Sequence, residues 1–382
     1  MVFNEVSYFK FRSNSSDLIE GSPIIEGKFL FQWPYYWTED KCINWTLVEA
    51  IASDVRSWID THMENNFIPT HLIRDLSILS YMTTRFWSCP LLNEEAIFQG
   101  RKNLLLFTKF LTITYTLDDD AEFRSGAQDH NIFVEELACL CYNILTFKYD
   151  TLEEFTEHIQ DSKSQLKNSY YAEKTLLWYD IAQELKNEYG LTKKQTKFFA
   201  WEVKNMFDYH SWCGTVDYSH LKNEKRQNYF RHYTGGPVAI MEFVFLLHGI
   251  HLKSVDRKNK YWSRYMLLAG KLVNNVNDVM SLKKELEEKA MDSSVLVHIR
   301  NGLDITTALN KSLADHDEAL EELREIFFYL KEYKEKKYKD RTEDDEYEIL
   351  IQAMEICNKF VGPQIKALHL MNRYNKFDYS FV

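Results

Sequence analysis

Glycine and proline are scarce in this 382-residue chain, at 12 and 6, which is too few for the frequent tight turns of an all-β sandwich. The six cysteines (Cys42, Cys89, Cys139, Cys141, Cys213 and Cys357) form no CxxC pair. Neither a zinc ribbon nor a compact disulfide framework is expected, and a reducing, cytoplasmic setting is. Long apolar runs are missing as well. The longest, VAIMEFVFLLHGI, covers about 13 residues and contains Glu242, well short of the roughly 20 residues that cross a bilayer. It reads as a core helix, so no membrane span is expected. The first residues, MVFNEVSYFKFRSNSSDL, lack an apolar export segment, so the sequons at Asn14 and Asn44 are expected to stay unmodified. Basic runs are limited to YKEKKYK, and the net charge of -11 repels nucleic-acid phosphates and anionic lipid alike. A polyanionic ligand would need metal ions or a few well-placed cations to be held here.

What is present is a globular composition, 45% hydrophobic and 27% charged, with Leu, Lys, Glu and Ala recurring at three- and four-residue spacings. That pattern predicts an all-α protein. Helices are expected over 46–60, 92–118, 130–147, 151–167, 171–188, 192–212, 237–250, 259–289, 303–335 and 347–373. No internal repeat, Gly/Ser linker or shift of composition marks a domain border, so residues 1–382 are expected to form a single helical domain, with an irregular, aromatic-rich N-terminal segment. The charged stretch EYKEKKYKDRTEDDEYEIL, 332–350, copies an acidic motif at Asp344 and Asp345. It lacks an apolar stripe to wall a cavity, so it is expected to be a solvated surface segment.

Two acidic clusters sit instead on apolar helices. In NLLLFTKFLTITYTLDDDAEF, 103–123, helical steps back from Asp118 reach Thr114, Leu111, Phe110 and Phe107, so acid continues an oily face. Asp118 and Glu122 share that face and Asp119 flanks it. Acids at a helix C-terminus oppose the macrodipole unless a cation answers them, which leaves a metal site or a frayed, solvated end. The second cluster is NNVNDVMSLKKEL, 274–286. Asn277, Ser281 and Glu285 are four residues apart and fall within an arc of about 80° on one helical face. An amide, a hydroxyl and a carboxylate make a hard oxygen set suited to Mg²⁺ that completes its shell with phosphate and water. The plain alternative is an amphipathic helix with ordinary polar residues.

Together these residues resemble class I terpene synthases of the microbial type, such as those of social amoebae and soft corals. The family's aspartate-rich motif is matched by Asp118, Asp119 and Glu122, and its NDxxSxx(K)E motif by Asn277, Asp278, Ser281, Lys284 and Glu285. The family also has a diphosphate-sensing arginine 46 residues before that Asn, a position held here by Arg231 in YFRHYTGGP. Thr234 and Gly235 follow as the resembling linker and effector, at a helix break that two glycines and a proline supply on physical grounds. Arg373 and Tyr374 resemble the family's terminal RY pair. The resemblance spans about 80–375.

What the resemblance implies is an α-helical barrel with a central active-site cavity. At its mouth a trinuclear Mg²⁺ cluster, with Mn²⁺ as a possible substitute, would hold a prenyl diphosphate. Asp118, Asp119, Glu122, Asn277, Ser281 and Glu285 would be the metal ligands, and Arg231, Asn277, Lys284, Arg373 and Tyr374 would bind the diphosphate. Ionisation would leave an allylic carbocation that needs a dry cavity with aromatic walls. Tyr115, Phe86, Phe107 and Trp87 are the candidate walls. The expected reaction is cyclisation of farnesyl or geranylgeranyl diphosphate to a sesquiterpene or diterpene, by a monomer or homodimer. A chain-elongating prenyltransferase would carry a second DDxxD motif where Asn277, Ser281 and Glu285 stand, and a class II cyclase would need DxDD, which is absent. A non-catalytic isoprenoid-binding protein would tolerate loss of either cluster, and both are intact.

Overall fold

Helix α1 (Trp45–His62) begins where the side chain of Asn44 accepts a hydrogen bond from the Leu47 amide at 3.0 Å. The second sequon asparagine is thus a helix cap. In the computed structural model of the chain, residues 6–13, 25–32, 44–63, 68–84, 94–123, 128–160, 170–213, 224–282, 285, 293–337, 347–362, 364, 367–368, 371 and 378–381 are described. After α1 come α2 (Thr70–Thr84), α3 (Glu94–Phe123), α4 (Gln128–Leu145), α5 (Leu152–Gln160), α6 (Tyr170–Asn187) and α7 (Lys193–Cys213). The second half holds α8 (Glu224–Thr234), α9 (Pro237–Leu247), the single turn α10 (Ser254–Arg257), α11 (Lys260–Met280), α12 (Ser294–Arg300), α13 (Ile305–Lys337) and α14 (Glu348–Val361).

Helices α2, α8, α10 and α12 were not signalled by the spacing of apolar residues. In α2, THLIRDLSILSYMTT, serine and threonine interrupt the apolar pattern, but burial turns them back on the helix. Ser77 Oγ donates to the Ile73 carbonyl and Thr83 Oγ1 to the Leu79 carbonyl, each at 2.8 Å, so their polarity is absorbed locally.

The N-terminal segment departs from the irregular coil expected of it. Strands β1 (Val6–Ser13) and β2 (Ile25–Gln32) pair antiparallel, β3 (Asp378–Phe381) pairs antiparallel with β1, and the order is β2-β1-β3. The cause is a period of two: phenylalanine recurs at every second position, at Phe9 and Phe11 in YFKFR and at Phe29 and Phe31 in KFLF, and Phe9 pairs with Phe29 across the ladder. Strand β2 lies against α13, and apart from this sheet the described elements are helices.

One apolar cluster, running from Val48 to Met371, fills that body. Phe110 is its hub, with ring centres 4.4 Å from Phe243, 5.4 Å from Phe199 and 5.8 Å from Trp178. Phe107, an expected cavity wall, is fully buried in the same stack against Phe243 and Phe360. It therefore supports a wall instead of forming one. Glu242, the acid inside the apolar run of α9, is buried and answered by Arg257 of α10, whose Nη2 donates to Oε2 at 2.7 Å. A buried carboxylate with such a fork-like partner avoids the cost of an unpaired charge.

Candidate active site

The end of α11 keeps its helical ladder past the point where the helix formally stops. The Ser281 amide donates to the Asn277 carbonyl at 2.8 Å, and the Glu285 amide to the Ser281 carbonyl at 2.9 Å. Asn277, Ser281 and Glu285 therefore do lie on successive turns. Ser281 Oγ also donates to Glu285 Oε1, and both side chains are buried. Asn277 Oδ1 accepts from Arg231 Nη2 at 3.1 Å, which brings the arginine of α8 to the same cluster.

Asp278 does something different from its neighbours. It is fully buried, and its Oδ1 accepts from Arg231 Nε at 2.9 Å while Oδ2 accepts from the Ser294 amide at 2.7 Å. Both oxygens hold protein groups, so Asp278 orients the arginine. The sequence reading placed it in the motif without seeing this role, because the α12 amide is 16 residues away in the chain.

Between α8 and α9 the helix breaks at Gly235-Gly236-Pro237. Gly236 adopts φ +63° as the cap of α9, and Pro237 takes the first turn, where its missing N–H costs nothing. Gly235 is required for a second reason: a Cβ there would collide with the carboxamide oxygen of Asn274 and stand 2.9 Å from its Cγ. Asn274 in turn donates Nδ2 to the Arg231 carbonyl at 2.8 Å. Helix α11 thus grips Arg231 at both ends, by its carbonyl and by its guanidinium. Aromatic contacts brace the other side of α8, where Tyr233 stacks flat on Tyr209 of α7 with centres 4.2 Å apart. Burial, with Tyr229 adding, raises the Tyr233 phenol to about 12, and burial holds the His232 imidazole down to about 4, so both are neutral.

Asp118, Asp119 and Glu122 fall in the last turns of α3, where the backbone is described and their side chains lie outside the description. Two turns before that end, Lys174 of α6 is fully buried and directs its ammonium to the Thr116 carbonyl at 3.5 Å. Nothing in the spacing around Lys174 marks it, since only tertiary packing brings α6 to α3.

These elements enclose a cavity. Arg231, Thr234, Gly235, Asn274, Asn277, Ser281 and Glu285 line its polar part. Leu79, Leu111, Met206, Ile240, Val273 and Phe360 form apolar wall, and Thr114 and half-buried Tyr115 contribute from α3. Thr114 hides its hydroxyl on the Phe110 carbonyl at 2.9 Å. Among the described residues no three His, Cys, Asp or Glu side chains cluster as a metal site. The reason is the donor set itself: the α11 cluster offers an amide, a hydroxyl and one carboxylate. Phe86, Lys284, Arg373 and Tyr374, and with them Trp87, Asp344 and Asp345, lie outside the described residues. No helix among the described residues is long and apolar enough to cross a membrane.

The fold matches solved terpene synthases: germacradien-4-ol synthase from Streptomyces citricolor at TM-score 0.60 and 13% identity, covering 85% of this chain and 94% of that one, and α-eudesmol synthase at TM-score 0.64 and 14% identity, covering 88% and 98%. A linalool/nerolidol synthase from Streptomyces clavuligerus, in complex with 2-fluorogeranyl diphosphate, matches at TM-score 0.58 and 12% identity, covering 86% and 95%. At such identities the likeness is one of fold. In sequence, residues 144–322 match the model of terpene synthase family 2, C-terminal metal binding. That segment contains Arg231, the helix break and the α11 motif. No curated protein matches the chain. Family segment and fold together support a class I terpene synthase, with divalent metal use implied by the family.

Proposed function

We propose that this chain uses Mg²⁺ to ionise an acyclic prenyl diphosphate, farnesyl or geranylgeranyl diphosphate, and cyclises the carbocation to a sesquiterpene or diterpene with release of diphosphate. That makes it a carbon–oxygen lyase. The observation that carries the reading is a cavity whose lining brings Arg231, Asn277, Ser281 and Glu285 together with apolar wall from Leu79, Leu111, Ile240, Val273 and Phe360. The triad on α11 fits a hard divalent cation, since amide, hydroxyl and carboxylate oxygens stand on successive turns. Asp118, Asp119 and Glu122 at the end of α3 are the proposed second ligand set. When bound, the metal would supply Lewis-acid stabilisation of the departing diphosphate.

The protein's own residues would do the rest. Arg231, held in orientation by Asp278, donates to diphosphate oxygens, and Lys284, Arg373 and Tyr374 are proposed to assist it. Thr234 and Gly235 sit at the helix break, where the backbone dipoles of an interrupted helix meet the cavity. Tyr115 offers an aromatic face to positive charge without a strong nucleophile, and Phe86 is proposed beside it. The apolar wall excludes water that would otherwise capture the cation. The fluorinated geranyl diphosphate bound by the Streptomyces clavuligerus relative supports a substrate of this class. We further propose one helical domain working as a cytoplasmic monomer or homodimer.

The test is incubation with Mg²⁺ and geranyl, farnesyl and geranylgeranyl diphosphates separately, with gas-chromatographic identification of products. Cyclic hydrocarbons from one of the two longer substrates are expected, and their loss in Asn277→Ala, Ser281→Ala and Glu285→Ala proteins that keep the wild-type circular dichroism. Wild-type yield from a folded triple variant would remove the triad from the site.

A further inference from the structure

Gln364 lies one helical turn beyond Phe360, past the end of α14, and both line the cavity. It is 3% exposed, and its Oε1 is buried with no hydrogen-bond partner among the described residues. A buried carboxamide acceptor left unsatisfied costs roughly 1–3 kcal/mol. Leucine or methionine would fill the same wall without that cost. Three neighbouring polar groups of the cavity do have such an account: Thr114 bonds its own helix, Asn274 the Arg231 carbonyl, and Ser281 the Glu285 carboxylate. Gln364 stands apart from this pattern, on a different element from the polar cluster of α8 and α11.

We propose that Gln364 is a specificity-determining residue, whose carboxamide dipole stabilises positive charge on the reacting hydrocarbon and so selects among cyclisation products. The inference rests on the terpene synthase reading above. A carboxamide suits the task because it is neutral, so it does not add to the charge of the acidic cluster, and its carbonyl oxygen attracts a cation. The energy lost in the ligand-free protein is recovered when a cation develops beside it, which is stabilisation realised in the reaction and not in the ground state. No covalent step is assigned to the residue.

Gln364→Met keeps side-chain length and removes the dipole. Its expected effects are a kcat/KM for substrate consumption within about threefold of wild type and a main product whose share falls by about half or more, because ionisation depends on Arg231 and the α11 cluster. Melting of the ligand-free protein supplies a readout independent of turnover: Gln364→Met should melt at the wild-type temperature or about 1–3 °C above it. Gln364→Leu serves as a second variant if the first does not fold. An unchanged product mixture in a folded variant overturns the proposal, and so does a fall in melting temperature, which would mark the carboxamide as structural. A wild-type protein that converts no prenyl diphosphate sinks the terpene synthase reading instead, and the melting comparison then still decides whether the carboxamide is an uncompensated cost.

Discussion

Asp278 has no exposure and Arg231 has 11%, yet each carries a full charge toward the other at 2.8 Å. Removing one partner of such a pair strands the other in a poor solvent, at a cost of about 3–5 kcal/mol. Asp278→Ala is therefore expected to lower the melting temperature by several degrees, more than Asn277→Ala does, although both face Arg231. Equal stability of the two variants would mean that Asp278 is not the group that holds the arginine. Glu202 of α7 gives a prediction in pH. Burial, followed by the charge of Glu242, raises its carboxyl from 4.5 to about 7. The folded protein thus keeps a proton that the unfolded chain loses between those values, so this contribution to stability is complete below 4.5 and disappears as pH rises through about 7. Glu202→Gln, which mimics the protonated form, should gain on wild type in melting temperature from about pH 5 to about pH 8. Parallel curves for the two proteins would show that Glu202 titrates normally.

At the scale of elements, the break between α8 and α9 is the feature on which the site turns. Glycine at 235 leaves room for the Asn274 carboxamide, and glycine at 236 supplies the left-handed turn, with Met206 Sδ 2.7 Å from where a Cβ would stand. Gly235→Ala is expected to destabilise the protein by about 1–3 kcal/mol through that overlap. In an Asn274→Ala background the closest obstruction is gone, leaving the Arg231 carbonyl at 3.2 Å, and the same change should cost much less. A double-mutant cycle by thermal melting reads the difference. Additive effects would mean that the two residues do not share the space. The break was legible in the sequence because Gly-Gly-Pro cannot continue a helix. Its partner was not, since Asn274 looks like any other polar residue on α11 until α8 is laid against it. Helix α8 itself escaped notice for a related reason. EKRQNYFRHYT is polar on every side, and its aromatic residues find Tyr209 of α7 only in the folded chain.

For the whole molecule, the net charge of -11 and the carboxylates of the proposed metal ligands are expected to make binding of metal and diphosphate interdependent. Diphosphate without a cation meets repulsion, and the α11 triad alone offers too few oxygens to complete an octahedral shell. Mg²⁺ and inorganic diphosphate should each raise the melting temperature weakly alone and strongly together, since each completes the other's site and ligands that bind only the folded state stabilise it. Arg231→Ala should weaken the combined shift and leave any response to Mg²⁺ alone. A combined shift equal to the sum of the separate ones would argue against a shared site.

Much of this molecule was written locally. Helical periodicity, scarce glycine and proline, and the four-residue steps from Asn277 to Glu285 depend only on neighbours within a turn or two, so the all-α body and the α11 cluster could be read from the chain alone. The two-residue repeat of phenylalanine in YFKFR and KFLF was equally local, but it was read as irregular chain and only the strands themselves show its meaning. Other features belong to distance. Arg231 meets Asp278, Lys174 reaches the Thr116 carbonyl, Asn274 occupies the space of a missing side chain at 235, and Gln364 comes to the cavity wall, all across gaps of tens of residues. A polar side chain reads the same in sequence whether it faces water or a dry cavity. Only the packing of helices decided which of them is solvated, which is paired, and which is left to meet a substrate.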